Sequence, residues 1–278
     1  MVAQFEFAAR VRKRREELGL PAAAVSKHLG FTRNFYSAVE NSRSLLATAK
    51  LPLLIEVLEF DDTAAQTLTT LLEQARTPGW WHPYASLLDD TFVQYLGLEC
   101  GASKISAYDS LVFNGLLQSP DYALSVVRSS PSVSTIDSQK ILESRLRRQS
   151  EVLGHGIELR FLLGEAPLWQ QFGGPDVLQR QLSHVLELIE RYGIEVRVQP
   201  FDATPLGLQS VAHLYLLGFE TPTLSTIAYR EAGLPIDLSL NNELVSLLEV
   251  HYELAFESSL DRQSSIDLLQ TRVESLNR

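Results

Sequence analysis

Residues 30–43 read GFTRNFYSAVENSR, and the fold of the chain turns on how they are placed. Gly30 suits the left-handed residue that closes a helix, because it has no Cβ to clash. Thr32 is a candidate N-cap whose hydroxyl can take up a free backbone N–H. The spacing predicts a helix from there to about Glu40, with Phe35, Tyr36 and Val39 as an inward apolar stripe. Arg33, Asn34, Ser37 and Ala38 fall on the other side, near the exposed N-terminal end. Taken alone, the stretch could equally be an ordinary surface helix.

The residues before it argue against that. Glu6 to Leu18 is predicted as a first helix, with Phe5, Ala8, Val11 and Leu18 inside and a basic run of Arg10, Arg12, Lys13, Arg14 and Arg15. Gly19 stops it. Pro21 opens a second helix, where its missing N–H costs nothing. That helix runs to Leu29, with Ala24, Val25, His28 and Leu29 at helical spacing. Helix, glycine, short helix, glycine turn, helix is the order of a helix-turn-helix. In such a motif the N-terminal end of the last helix enters the major groove of double-stranded DNA. Arg reads guanine, Asn reads adenine, and Ala can touch a thymine methyl. Arg33, Asn34, Ser37 and Ala38 are therefore the candidate base contacts. Thr32, Lys27 and Arg43 are the candidate contacts to the DNA backbone.

On Arg15, Leu18-Gly19-Leu20, Val25, Leu29-Gly30, Thr32, Glu40-Asn41 and Arg43, residues 5–76 resemble the Xre-type family, with its Cro-like repressor fold. The resemblance implies base-edge contacts by Arg33, Asn34 and Ala38. It also implies an ion pair between Arg15 and Glu40 inside the domain. The chain departs from the family at Ala22, usually Gln or Ser contacting phosphate, and at Ser42, usually Gly. The latter implies a slightly different exit from the recognition helix.

Charge is divided along the chain. Residues 1–50 hold nine Lys or Arg against four acids, a net of +5, while the rest carries a net of −15. A basic small domain on an acidic larger one confines any contact with a polyanion to one face. The composition, 278 residues with 45% apolar and 21% charged, is ordinary for a globular chain of two domains. There is no run of 18 apolar residues and no secretory signal, so a cytoplasmic protein without membrane contact is expected. The single cysteine, Cys100, excludes an intrachain disulfide and reads as a small buried residue.

The expected architecture is α+β. An all-α, five-helix domain spans residues 1–76, a Thr77-Pro78-Gly79 linker spans 77–79, and a larger mixed α/β domain with about four strands spans 80–278. Residues 46–60 and Thr63 to Arg76 supply the fourth and fifth helices, the latter capped by Asp61-Asp62. Trp80 and Trp81 open the second domain, either as a ligand-stacking surface or as a lock between domains. Helices are expected at 86–96, within 98–110, at 121–128, 134–153 (Ile136, Ile141 and Leu146 inside), 175–192, 237–256 and 264–276. The last is a candidate dimer contact. Residues 157–163 and 194–199 alternate as strands in a parallel unit, and 211–219 and 224–230 as an antiparallel pair turning at Thr221-Pro222. Arg145, Arg147 and Arg148 could bind an anion through Arg145 and Arg148, or pair with local acids.

On Glu99, Tyr108, Asn114-Gly115-Leu116-Leu117-Gln118-Ser119, Tyr122-Ala123, Arg145, Arg148-Gln149, Glu165-Ala166, Leu168, Gly173-Gly174 and Gln181-Leu182, residues 80–230 resemble a second group. It is the C-terminal domain of actinobacterial Xre-type regulators described as WhiJ-like or antitoxin-like. No catalytic constellation stands out: six scattered His, no HExxH, no phosphate loop, no nucleophile set beside a base, hence no metal, no cofactor and no enzyme. The expectation is a DNA-binding transcriptional regulator. Its second domain would sense a small effector or mediate a homodimer. The alternative is an antitoxin-like protein that binds a small partner protein and autoregulates its operon.

Overall fold

The computed structural model describes residues 1–130, 133–203, 208, 211–221, 224–231, 236–239 and 241–277. The chain divides into two compact units, Met1–His82 with Glu220–Ser225, and Pro83–Phe219 with Thr226–Arg278. With the boundary after His82, Trp80 and Trp81 belong to the first unit.

The first unit holds α1 (Val2–Glu17), α2 (Ala22–Leu29), α3 (Arg33–Glu40), α4 (Leu51–Val57) and α5 (Asp62–Ala75). Its core joins Phe7, Val11, Val25, Leu29, Tyr36 and Val39 to leucines of the last two helices. On α2, only Val25, Ser26 and Leu29 are buried; Ala24 and His28, noted at the same helical spacing, are exposed, because eight residues present a single stripe to the core. The expected helix over 46–60 is shorter: a 3-10 turn at Thr48–Lys50 leads into α4, whose Pro52 lacks the N–H to extend it backward. Asp61 caps α5 by accepting from the Ala64 N–H at 2.8 Å.

The second unit is a six-stranded sheet in the order β3-β2-β1-β4-β5-β6. The strands are β1 (Lys104–Asp109), β2 (Glu158–Gly164), β3 (Glu195–Gln199), β4 (His213–Gly218), β5 (Ile227–Glu231) and β6 (Ile236–Ser239). β1, β2 and β3 run parallel; β4, β5 and β6 each pair antiparallel with the preceding neighbour in that order. Two strands beyond the expected four are present. β1 occupies the stretch read as a short helix within 98–110. It is a central strand buried on both faces, and its inward residues include Ser106 and Asp109, so polarity does not mark its two sides. β6 takes residues read as the start of the 237–256 helix. The turn expected at Thr221-Pro222 lies partly outside the described residues.

The helices here are α6 (Asp90–Glu99), α7 (Pro120–Ser129), α8 (Thr135–Val152), α9 (Pro175–Tyr192), α10 (Asn242–Ser258) and α11 (Arg262–Leu276). α9 starts on Pro175 and stops at left-handed Gly193 (φ 65°). On α8 the inward residues are Ser138, Leu142, Ser144, Arg148 and Val152; Ile136, expected inside, is 75% exposed in the first turn. Cys100, expected to be buried, is exposed at the C-cap of α6. α10 packs Val245, Leu248, Tyr252, Ala255 and Phe256 onto the sheet residues Tyr108, Leu162, Leu214, Leu216 and Ala228. It is fixed there by Arg160, which forks onto Glu253 at 2.7 and 3.0 Å, and by the Phe256 ring, which lies against the guanidinium groups of Arg160 and Arg197. α11 packs on α9 and β3 within the chain. Its approach supplies hydrogen bonds to the outer edge of β3: Leu260 N–H donates to the Val198 carbonyl, and Ser265 Oγ accepts from the Val198 N–H, both at 3.0 Å.

Candidate nucleic-acid interface and the polar core of the second unit

The turn between α2 and α3 is built as its residues require. Gly30 takes φ 72°, and the N–H groups of Gly30 and Phe31 close onto the Lys27 and Ser26 carbonyls. Thr32 Oγ1 then accepts from the Phe35 N–H at 3.2 Å, starting α3. Tyr36, Val39 and Glu40 are buried, while Arg33 and Asn34 are exposed at the N-terminal end, with Ser37 and Ala38 half-buried one turn on. Thr32, Lys27 and Arg43 are exposed as well.

Two contacts hold α3 from behind. Arg15 Nε donates to Glu40 Oε1 at 2.6 Å, and its Nη1 reaches the Leu20 carbonyl at 3.1 Å. The bond to Glu40 raises the Arg15 pKa above its ordinary value, against partial burial. Burial first, and the Glu40 carboxylate next, push the Tyr36 phenol far above its usual range. Arg12 Nη2 donates to the Glu40 carbonyl at 2.8 Å and to Asn41 Oδ1 at 2.5 Å, and Asn41 Nδ2 donates in turn to Ser37 Oγ at 3.3 Å. The basic run on α1 is thus largely spent internally: Arg10 pairs with Glu6, and Arg14 donates to the Leu58 and Glu59 carbonyls at the end of α4. The exposed positive charge around the turn and α3 includes Lys27, Arg33 and Arg43, with the half-buried Lys50 ammonium over the Phe31 ring. At the exit from α3, Ser42 takes φ 58° and the Arg43 N–H closes onto the Ala38 carbonyl at 2.8 Å. A serine makes this left-handed turn, where the resemblance put a glycine. At the start of α2 the N-cap is Pro21, with no side-chain hydrogen bond to the helix.

In the second unit the residues singled out in sequence converge behind the loop 113–119. Arg148, 6% exposed, forks onto the fully buried Glu99, Nε to Oε2 and Nη2 to Oε1 both at 2.7 Å. Tyr95 donates its hydroxyl to the same Oε1 at 2.5 Å. Burial, and then the Glu99 charge, push the Tyr95 phenol well up; Glu99 in turn holds Arg148 protonated against its burial. Arg148 is therefore a core residue, not a ligand-facing fork. Arg145 Nη1 donates to Gln118 Oε1. Gln149 Nε2 donates to the Gly115 and Gln118 carbonyls, both at 2.8 Å. A Cβ at Gly115 would meet Arg148 Nη1 at 3.1 Å, so the arginine's approach explains the glycine. Gln181 on α9 brackets the loop from the other side, accepting from the Ser119 N–H and donating to the Leu117 carbonyl, both at 2.7 Å. Trp80 and Trp81, half-buried in the first unit, meet edge to face at 5.9 Å and lie in a different unit from the two arginines.

Sequence reasoning missed a buried carboxylate at the C-terminal end of β1. Asp109 accepts from His213 Nδ1 at 2.6 Å, Tyr215 OH at 2.9 Å and Asn114 Nδ2 at 2.8 Å. The one available signal was its place just before the Asn114–Ser119 motif. Among the described residues no group of three or more His, Cys, Asp or Glu could hold a metal ion, and no helix is long and apolar enough to cross a membrane.

No curated protein and no solved structure matches the chain significantly. Two family models do match. One, described as a helix-turn-helix domain, matches residues 6–68, from within α1 to within α5. The other spans β1 to β6, the buried Glu99–Arg148 pair and the loop it supports. On that match to residues 92–271, more than half of its length, the chain belongs to the family described as Domain of unknown function (DUF5753), here joined to an N-terminal helix-turn-helix domain.

Proposed function

We propose that the protein is a sequence-specific transcriptional regulator of the Xre type, which sets α3 in the major groove as a two-fold dimer on half-sites about one helical turn apart. The observation that carries this is the exposed N-terminal end of α3: Arg33 and Asn34 stand outward while Tyr36, Val39 and Glu40 anchor the opposite side. Arg33, Asn34, Ser37 and Ala38 read base edges; Thr32, Lys27 and Arg43 contact phosphates. The second unit is the regulatory half and carries out no catalytic step. In this reading the three donors around Asp109 fix the loop after β1. That loop leaves the C-terminal end of β1, the strand between the parallel and antiparallel halves of the sheet.

The test is binding of the full chain to DNA from its own promoter region at several salt concentrations, beside the Arg33→Ala, Asn34→Ala double variant. Arg33→Ala alone is expected to cost about 1–3 kcal/mol at the cognate site and to relax its sequence preference. A binding-site selection that returns the same preference for both proteins would remove the reading.

A further inference from the structure

The outer face of α10 carries a feature that DNA recognition does not use. Leu247, Val250 and Leu254 are 51%, 54% and 50% exposed. Their i, i+3, i+7 spacing sets them in one row, opposite the Val245, Leu248 and Tyr252 side that packs on the sheet. The row is not a loose end: Phe256 and the Arg160–Glu253 fork pin the helix in place. Scattered surface leucines need no explanation; these three form one contiguous apolar strip on a helix that is held in place.

Charge decides what covers it. α10 contains four Glu and no Lys or Arg. Glu243 stands one turn before Leu247 and Glu257 one turn after Leu254, both exposed, so carboxylates close the row at each end. A second copy of α10 would set like charge against like: antiparallel pairing puts Glu243 against Glu257, and parallel pairing puts each against itself. Either is penalised in a desolvated contact.

We propose that this face of α10 docks an amphipathic helix of another protein, one with three apolar residues at i, i+3, i+7 and Lys or Arg at both ends of its row. The docking stands apart from DNA binding and would survive the failure of that reading.

The experiment titrates the full chain against three labelled helical peptides and follows fluorescence anisotropy. The first carries Leu at i, i+3, i+7 bracketed by Lys; the second keeps the Leu residues and replaces the bracketing Lys with Glu; the third keeps the Lys residues and replaces the Leu with Ser. The wild type is expected to bind the first about tenfold more tightly than either other peptide. The triple variant Leu247→Ser, Val250→Ser, Leu254→Ser, with its fold checked by circular dichroism, should lose that difference. Glu243→Gln with Glu257→Gln should lose the preference for Lys over Glu brackets alone. Equal binding of the Lys and Glu peptides by the wild type overturns the proposal, and so does an undiminished preference in the triple variant. So does a wild-type dimer in sedimentation equilibrium that the triple variant converts to monomer, since a second copy would then own the face.

Discussion

Two arginine–glutamate pairs, one in each unit, show how differently the same chemistry can be placed. Arg15 meets Glu40 through a single nitrogen, and its remaining donors turn to the Leu20 carbonyl and the exposed Glu16. Arg148 meets Glu99 through both prongs of its fork and adds a bond to Tyr95 OH. The first pair keeps a route to water on the arginine side, which is 14% exposed; the second is 7% and 0% exposed. Loss of one partner should therefore cost less in the first unit than in the second, because the cost lies in the charge left behind.

The largest expected effect tests that contrast directly. Glu99→Gln leaves the Arg148 guanidinium buried without its counter-charge and should destabilise the second unit by about 3–5 kcal/mol in denaturant unfolding. The double change Glu99→Leu, Arg148→Met should recover most of that loss; if it is as unstable as the single variant, the deficit is one of packing and not of charge. Next comes Glu40→Gln, where Arg15 retains a carbonyl and solvent. A loss of about 1.5–3 kcal/mol is expected, read from hydrogen exchange in α1 and α3. Equal losses at the two sites would erase the comparison.

A smaller effect, of opposite sign, comes from the backbone. Glu59 sits at φ 50° with an exposed side chain, and Ser42 at φ 58° with a buried one. Glu59→Gly should stabilise the first unit by about 1 kcal/mol, since a left-handed conformation penalises a Cβ. Ser42→Gly should gain less, because it also empties a filled position; thermal melts of the two variants rank them.

The smallest effect is in pH. Burial lowers the pKa of His184 from 6.5, whereas His28 of the first unit is exposed. A depressed histidine pKa means the unfolded chain takes up the proton first. The second unit should hold its full stability above about pH 6.5 and lose part of it as pH falls toward the lower folded value. His184→Gln should flatten that limb. Asp121 acts in a separate, more acidic window: against burial, the Ser119 hydroxyl and Arg180 hold its pKa below 3.8, so its contribution is lost only as pH falls under that value. A melt series from pH 7 to pH 5, run beside His184→Gln, separates this histidine from Asp121 and from the other histidines.

What was legible in the sequence was what punctuation marks. Gly30 with Thr32 frames α3, and Pro175 with Gly193 frames α9, because each of those residues answers a local backbone need. β1 was illegible for the opposite reason: a central strand has no wet face, its buried Ser106 breaks the apolar pattern, and its buried Asp109 reads as a surface residue until His213, Tyr215 and Asn114 are seen around it. Asp109 and His213 are brought together only by strand pairing, β1 against β4. The roles of Arg12 and Arg14 were hidden differently. Arg14 ends on the Leu58 and Glu59 carbonyls and Arg12 partly on the Glu40 carbonyl, and since every residue has a carbonyl no residue type announces those partners. The Arg15–Glu40 contact rested on family resemblance, since nothing local joins two residues on different helices.

The rim of β3 at Val198 bears on how the protein behaves when crowded. A sheet whose border presents unspent N–H and C=O groups is a template on which another chain can lengthen it, the first step toward fibrous aggregates. Here the Val198 amide and carbonyl are both engaged by the segment that opens α11. Trimming the chain before residue 260, as when shortening it for expression, is expected to unzip that border and offer a template for precipitation.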